Sequence, residues 1–85
     1  MSAPAHVILY GRPGCHLCDE ARAALHRVRQ RAPFDIQEID ITTDDALHKR
    51  YLERIPVIAL AGEELFEYFV DEDALQRRIL YREDR

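Results

Sequence analysis

No apolar stretch in this sequence is long enough to cross a membrane as a helix. The apolar runs, such as 7–10 and 57–60, are far shorter than the roughly 20 residues that a bilayer span requires. The first residues also lack the charged segment and the apolar segment of a secretory signal peptide. We therefore expect a cytoplasmic protein that has no membrane partner.

The chain has no excess of basic residues either. It contains 12 Lys and Arg residues against 16 Asp and Glu residues, which gives a formal net charge of -4. Because an acidic chain is repelled by the phosphate backbone, we expect no nucleic acid partner. The 85 residues contain no repeat, linker or low-complexity segment and predict one domain, 1–85, in which 1–5 form a flexible tail. We expect this domain to be a monomer.

Cysteine is scarce, and the two cysteines present are Cys15 and Cys18. A structural zinc site needs four ligands, and the sequence has neither a second C-x-x-C pair nor two histidines at H-x3-5-H spacing. Three interpretations of the pair remain: half of a zinc site, two inert buried thiols, or a redox-active dithiol. The surrounding strand, turn and helix favour redox chemistry, and we predict no metal site.

The cysteine pair follows a predicted strand and opens a predicted helix. The run 6–10 is typical of a strand buried on both faces, and Gly and Pro in 11–14 predict a sharp turn. The apolar periodicity of 15–31 predicts a helix, on which Cys15 and Cys18 share one face. Free N–H groups at the helix start stabilise a thiolate, so the Cys15 pKa should lie below the usual value of about 8.5. We expect Cys15 to attack a disulfide and Cys18 to resolve the mixed disulfide.

The rest of the chain continues an alternation of strands and helices. The predicted elements are strand 34–41, a helix reaching about 53, strand 57–60, strand 64–68 and helix 72–82. Thr42 or Thr43 is expected to cap the second helix, with Leu52 as a candidate for its inner face, and Asp71 is expected to cap the last helix. The order βαβαββα predicts an α/β fold, a four-stranded mixed sheet flanked by three helices.

Three segments together resemble the glutaredoxin branch of the thioredoxin fold. They are the strand, turn, C-x-x-C and helix of 7–28, the Ile55-Pro56 pair that opens the third strand, and the hairpin that ends at Asp71. The segment 14–20 reads G-C-H-L-C-D-E and is similar to a family of compact glutaredoxin-like proteins. The resemblance implies a thioredoxin-like (glutaredoxin) fold and thiol–disulfide oxidoreductase activity.

The resemblance also implies which residues bind the substrate. Pro56 would form a cis peptide bond, and Ile55 would offer backbone groups to an incoming peptide or to glutathione; the alternative is an ordinary trans proline. Asp71 stands where relatives hold the amine of glutathione. The Gly-Gly pair that precedes this acidic residue in those relatives is replaced here by bulky residues in 68–70. Asp71 therefore has the alternative role of a helix cap.

Two cationic side chains flank Cys15 in the sequence. Arg12 stands where glutaredoxins usually carry a lysine, and the resemblance implies that it favours the Cys15 thiolate or binds a substrate carboxylate. His16 follows Cys15 directly and, when protonated, would hold the thiolate. A solvated surface position is the alternative for both side chains.

We therefore predict a dithiol oxidoreductase that needs no bound cofactor, with glutathione as a candidate co-substrate. Its partners would be a disulfide-containing protein or glutathione, together with a reductase or thiol reductant. The alternative from another class is a non-catalytic module of the same fold that serves a dedicated partner. A third hypothesis, iron–sulfur delivery, is disfavoured by the second cysteine and by the missing glycines.

Overall fold

Residues 5–81 are described by a computed structural model, and they form four strands and three α-helices. The elements are β1 (Ala5–Gly11), α1 (His16–Arg31), β2 (Phe34–Asp40), α2 (Asp45–Tyr51), β3 (Val57–Leu60), β4 (Glu63–Glu67) and α3 (Glu72–Leu80). A 3-10 turn, Ile41–Thr43, joins β2 to α2. The predicted order βαβαββα is confirmed. Of the helices in this described part, none is long and apolar enough to span a membrane.

The four strands form one mixed sheet in the order β2-β1-β3-β4. β1 pairs in parallel with β2 and antiparallel with β3, and β3 pairs antiparallel with β4. The parallel pair requires a crossover connection, which α1 supplies. β1 therefore lies inside the sheet, as its apolar run predicts, and the more polar β2 lies at an edge. The predicted α/β architecture, a four-stranded mixed sheet flanked by three helices, is confirmed.

Helices cover both faces of the sheet. Successive side chains of β1 point to opposite faces, so each face of the sheet receives its own set of β1 side chains. Val7 faces α1 and α3, in a hydrophobic cluster that includes Leu25 and Leu75. Tyr10 faces the opposite side and stacks on Tyr51 of α2, with ring centroids 4.4 Å apart. The cysteine pair belongs to this second cluster.

The prediction that Thr42 or Thr43 caps the second helix is wrong. The cap is Asp44, whose carboxylate accepts two backbone N–H groups of α2 at 2.8 and 3.1 Å. Both threonines are bonded to Asp40 instead. The Asp40 carboxylate accepts from the Thr42 hydroxyl at 2.6 Å, and its carbonyl accepts from the Thr43 hydroxyl at 2.7 Å. These local bonds fold the threonines into the 3-10 turn and delay the start of α2.

Several element ends differ from the predictions by one or two residues. Residue 5 belongs to β1 rather than to the predicted tail, whose other residues, 1–4, lie outside the described part. α2 ends at Tyr51, and Leu52 is 41% exposed, so its placement on the inner face is wrong. α3 ends at Leu80, and the predicted end at position 82 lies outside the described residues.

Candidate redox site

The two cysteines lie where β1 ends and α1 begins. α1 starts at His16, one residue later than predicted, so Cys15 is its N-cap, and its Sγ accepts the Cys18 N–H at 3.1 Å. The two Cα atoms are 5.2 Å apart and the sulfurs are at disulfide distance. Cys15 is partly exposed, whereas Cys18 is only 1% exposed. A partner disulfide can therefore reach Cys15, and Cys18 lies beneath it.

Gly11 makes room for the buried cysteine. A Cβ atom added at Gly11 would lie 2.9 Å from the Cys18 Sγ and 3.3 Å from the Cys18 Cβ. Gly14, by contrast, has open space around it and a positive φ of 75°, as its place in the turn requires. The sequence indicated a turn role for both glycines, but Gly11 is the last residue of β1, and its close approach to Cys18 has no sequence signal.

A hydrophobic cluster supports the cysteine pair from below. Cys15 packs against a group of buried side chains that includes Cys18, Tyr51 and Ile55. The Tyr51 hydroxyl donates to the Glu64 carboxylate at 2.9 Å, and burial raises the pKa of Tyr51. The predicted site residue Ile55 is thus brought to the cysteines by packing of α2 on the sheet.

The Ile55–Pro56 peptide bond is cis, and the surrounding loop is tied down on several sides. The Ile55 N–H donates to the Tyr51 carbonyl at 3.1 Å, and the Pro56 carbonyl accepts the Tyr68 N–H at 2.8 Å. Within residues 5–81, the Ile55 carbonyl accepts no hydrogen bond. The Ile55 N–H is therefore already used within the protein.

The residue before this loop, Arg54, connects it to β4. Its guanidinium bonds to the carboxylates of Glu64 and Glu67 and lies over the Tyr51 ring, 5.2 Å from the centroid. The Arg54 bond and the Tyr51 hydroxyl lower the pKa of Glu64 to about 2. Sequence reasoning missed these contacts because they depend on the pairing of β3 with β4.

A cavity of about 190 Å³ opens beside Cys18. Its wall includes Arg12, which has no hydrogen-bond or ion-pair partner within residues 5–81. Arg22 also lines it and bonds to Asp19 at 2.9 Å and to Glu38 at 2.8 Å. The hydrogen bonds to Asp19 and Glu38 raise the pKa of Arg22. The register of β2 on β1 therefore places Glu38 at the cavity beside Cys18, which the sequence did not indicate.

His16 points away from the protein body. It is 86% exposed, and its Nε2 lies 3.5 Å from the Glu20 carboxylate, one turn further along α1. Its predicted effect on Cys15 remains a prediction. Across residues 5–81, no three His, Cys, Asp or Glu side chains are placed so that they could hold a metal ion.

Asp71 is the N-cap of α3, so its predicted role as a helix cap is confirmed. Its carboxylate accepts the Ala74 N–H at 3.0 Å. The two residues that follow β4 are Tyr68 and Phe69, which we call the aromatic lip. Tyr68 has a positive φ of 68°, and Phe69 is 70% exposed. The lip occupies the place where the resemblance expected glycines.

Comparisons with known proteins identify the family to which this fold and cysteine pair belong. The model of a family described as glutaredoxin-like domain (DUF836) matches residues 6–80. The chain belongs to this glutaredoxin-like family. Except for Ala5, the first residue of β1, the match covers every element described above and both cysteines.

Solved structures support the membership. A solution structure of a protein from Nitrosomonas europaea is 32% identical, with a TM-score of 0.81, over 93% of this chain and 95% of that one. A crystal structure of a protein from X. campestris is 35% identical, with a TM-score of 0.71, over 82% and 89% of the two chains. A mutant thioredoxin from Halobacterium salinarum is 23% identical, with a TM-score of 0.66, over 94% and 76%, and shares the fold.

Proposed function

We propose that this glutaredoxin-like protein is a thiol–disulfide oxidoreductase that acts through Cys15 and Cys18. The observation that carries the proposal is the arrangement of the pair: Cys15 is the accessible N-cap of α1, and Cys18 is buried at disulfide distance. The Cys18 N–H that reaches the Cys15 sulfur would stabilise a thiolate there, as would the start of the helix.

The reaction has two exchange steps. The Cys15 thiolate attacks one sulfur of the substrate disulfide, forms a mixed disulfide and releases the other substrate sulfur as a thiolate, which takes up a proton. Cys18 then loses its proton, and its thiolate attacks the Cys15 sulfur. The Cys15–Cys18 disulfide forms, and the second substrate thiolate leaves and is protonated. The substrate gains two electrons and two protons, which a thiol reductant or a reductase later returns to the protein.

The substrate side of the site would include the residues around the pair. We propose that the Ile55 carbonyl, beside the buried Pro56, receives the substrate backbone, and that Arg12, His16 and Asp71 contact its polar groups. No bound cofactor is needed, and glutathione would enter as a co-substrate if at all. A cytoplasmic location fits this chemistry because a reducing compartment regenerates the dithiol.

The test compares two matched serine variants. Reduction of insulin and of a glutathione mixed disulfide is measured for the wild type, Cys15→Ser and Cys18→Ser, with a thioredoxin or glutathione reductase system. Cys15→Ser should abolish turnover because the attacking sulfur is lost. Cys18→Ser should accumulate the mixed disulfide, which mass spectrometry detects as an added substrate mass.

Two outcomes would contradict the proposal. Full turnover by Cys15→Ser would show that another group attacks the substrate. Absence of turnover by the wild type in both assays, while the Cys15–Cys18 bridge still forms, would favour the non-catalytic module that serves a dedicated partner.

A further inference from the structure

We propose that Phe69 is a docking contact for an extended apolar segment of a disulfide-containing protein. This makes protein disulfides, rather than glutathione, the preferred substrate class. The inference rests on the proposed function, because it concerns what reaches Cys15. It is carried by three features: the fixed position of the aromatic lip, the groove beside it, and the charges of that groove.

The aromatic lip is held in place by its own backbone. Tyr68 adopts a positive φ of 68°, a conformation that bulky residues seldom adopt and that tends to persist where the surroundings impose it. Its N–H donates to the Pro56 carbonyl at 2.8 Å, and its hydroxyl donates to the Glu53 carbonyl. The Phe69 N–H donates to the Glu67 carbonyl at 2.7 Å. Phe69 thus extends into solvent from an ordered turn.

A groove of about 150 Å³ lies between the aromatic lip and α1. Phe69 and Val70 form one wall, and the small side chains Ala21 and Ala24 leave room on the other. Two contacts connect residues of the groove to residues beside the cysteine pair. Glu20, on its rim, contacts His16 beside Cys15, and the lip is bonded to Pro56. A volume of this size suits one apolar side chain of a segment that crosses the site.

The charges of the groove disfavour glutathione, which carries two carboxylates and one ammonium group. Arg27 is the cation that lines this groove, and the Glu72 carboxylate engages it at 2.8 Å. Glu72 also bonds to Arg31 at 3.0 Å, and Glu20 adds a further negative charge. The unpaired Arg12 lies at the separate cavity beside Cys18. A peptide needs only an apolar contact and a backbone acceptor, which Phe69 and the Ile55 carbonyl would supply.

The experiment measures second-order rate constants for the oxidation of pre-reduced protein, so that no reductase is required. The substrates are insulin, glutathione disulfide and the small neutral bis(2-hydroxyethyl) disulfide. Phe69→Ser should lower the rate constant with insulin about tenfold, the loss expected for an aromatic docking residue. The rate constant with bis(2-hydroxyethyl) disulfide should not change, and Phe69→Leu should restore most of the rate with insulin. The matched control is Leu80→Ser, because Leu80 is 52% exposed on α3 and lines neither the groove nor the cysteine cluster.

Each outcome supports or overturns the inference. The wild type should react faster with insulin than with glutathione disulfide, and Leu80→Ser should behave as the wild type does. Equal rates of Phe69→Ser and the wild type with insulin would overturn the docking role while leaving the proposed function intact. A loss with all three substrates would also overturn it, since the effect would not depend on a peptide. A wild type that reacts with none of them would overturn the inference together with the proposed function.

Discussion

Replacement of Gly11 by alanine tests whether the buried cysteine requires a glycine opposite it. The added Cβ would lie 2.9 Å from the Cys18 Sγ, closer than such atoms normally approach. Cys18 cannot easily yield, because it is 1% exposed, packs among buried side chains and is bridged to Cys15. Gly11 is not among the glycines with a positive φ, so the contact with Cys18, and not the backbone, sets the cost.

The magnitude follows from two opposing effects. Overpacking of a filled core by one methyl group costs about 1–3 kcal/mol. A change from glycine to alanine recovers about 0.4–1 kcal/mol, because the unfolded chain loses conformational freedom. We therefore expect Gly11→Ala to lower the free energy of unfolding of the oxidised protein by roughly 1–2 kcal/mol. In a domain of this size, each kcal/mol lost corresponds to a decrease of about 4–8 °C in the melting temperature.

The assay is urea unfolding followed by circular dichroism, for Gly11→Ala in the wild-type and in the Cys18→Ala background. Removal of the sulfur should reduce the cost of the Gly11 change to less than half, a coupling that a double-mutant cycle measures directly. Gly62→Ala is the control, because Gly62 has a positive φ of 84° and open space, so its cost should be the same in both backgrounds. An equal cost of Gly11→Ala in both backgrounds would refute the reasoning.

Two further predictions concern stability. Asp71→Ala should lower the free energy of unfolding by about 1 kcal/mol, because the cap of α3 is lost. Asp71→Asn keeps an acceptor for the Ala74 N–H and should therefore lose much less. Chemical denaturation of both variants checks this prediction. The Arg54 contact lowers the pKa of Glu64 to about 2 from its ordinary value near 4.5. A lowered folded-state pKa stabilises the protein above the ordinary value, and that contribution is lost as the pH falls towards 2. Between pH 5 and pH 2.5, the urea midpoint of the wild type should therefore fall further than that of Glu64→Gln, and equal falls would contradict the assignment.

Local patterns in the sequence determined the order of the elements and the position of the cysteine pair. The apolar periodicity of 15–31 predicted α1 and its inner face, because a helix repeats every 3.6 residues wherever it packs. The spacing of Cys15 and Cys18 after a buried strand predicted a pair one helical turn apart at the start of α1. Asp71 was predicted as a cap because its carboxylate bonds only three residues further along the chain.

Competition between neighbouring polar residues was harder to predict. Thr42, Thr43 and Asp44 are all good caps for a helix, and the sequence does not rank them. The structure decides for Asp44 because Asp40 binds both threonines in a 3-10 turn. The inward placement of Leu52 failed for a related reason, since α2 ends one residue before it.

The surroundings of the cysteines depended on tertiary structure alone. Gly11 approaches Cys18, Glu38 comes near it through the register of β2, and Tyr68 takes a left-handed conformation because Pro56 and Glu53 bind it. No local preference encodes these contacts, and an aromatic residue at a positive φ runs against its own preference. The sequence alone thus determined that this chain carries a redox-type cysteine pair on a thioredoxin-like fold. Strand register and helix packing, which join residues distant along the chain, decided what surrounds that pair.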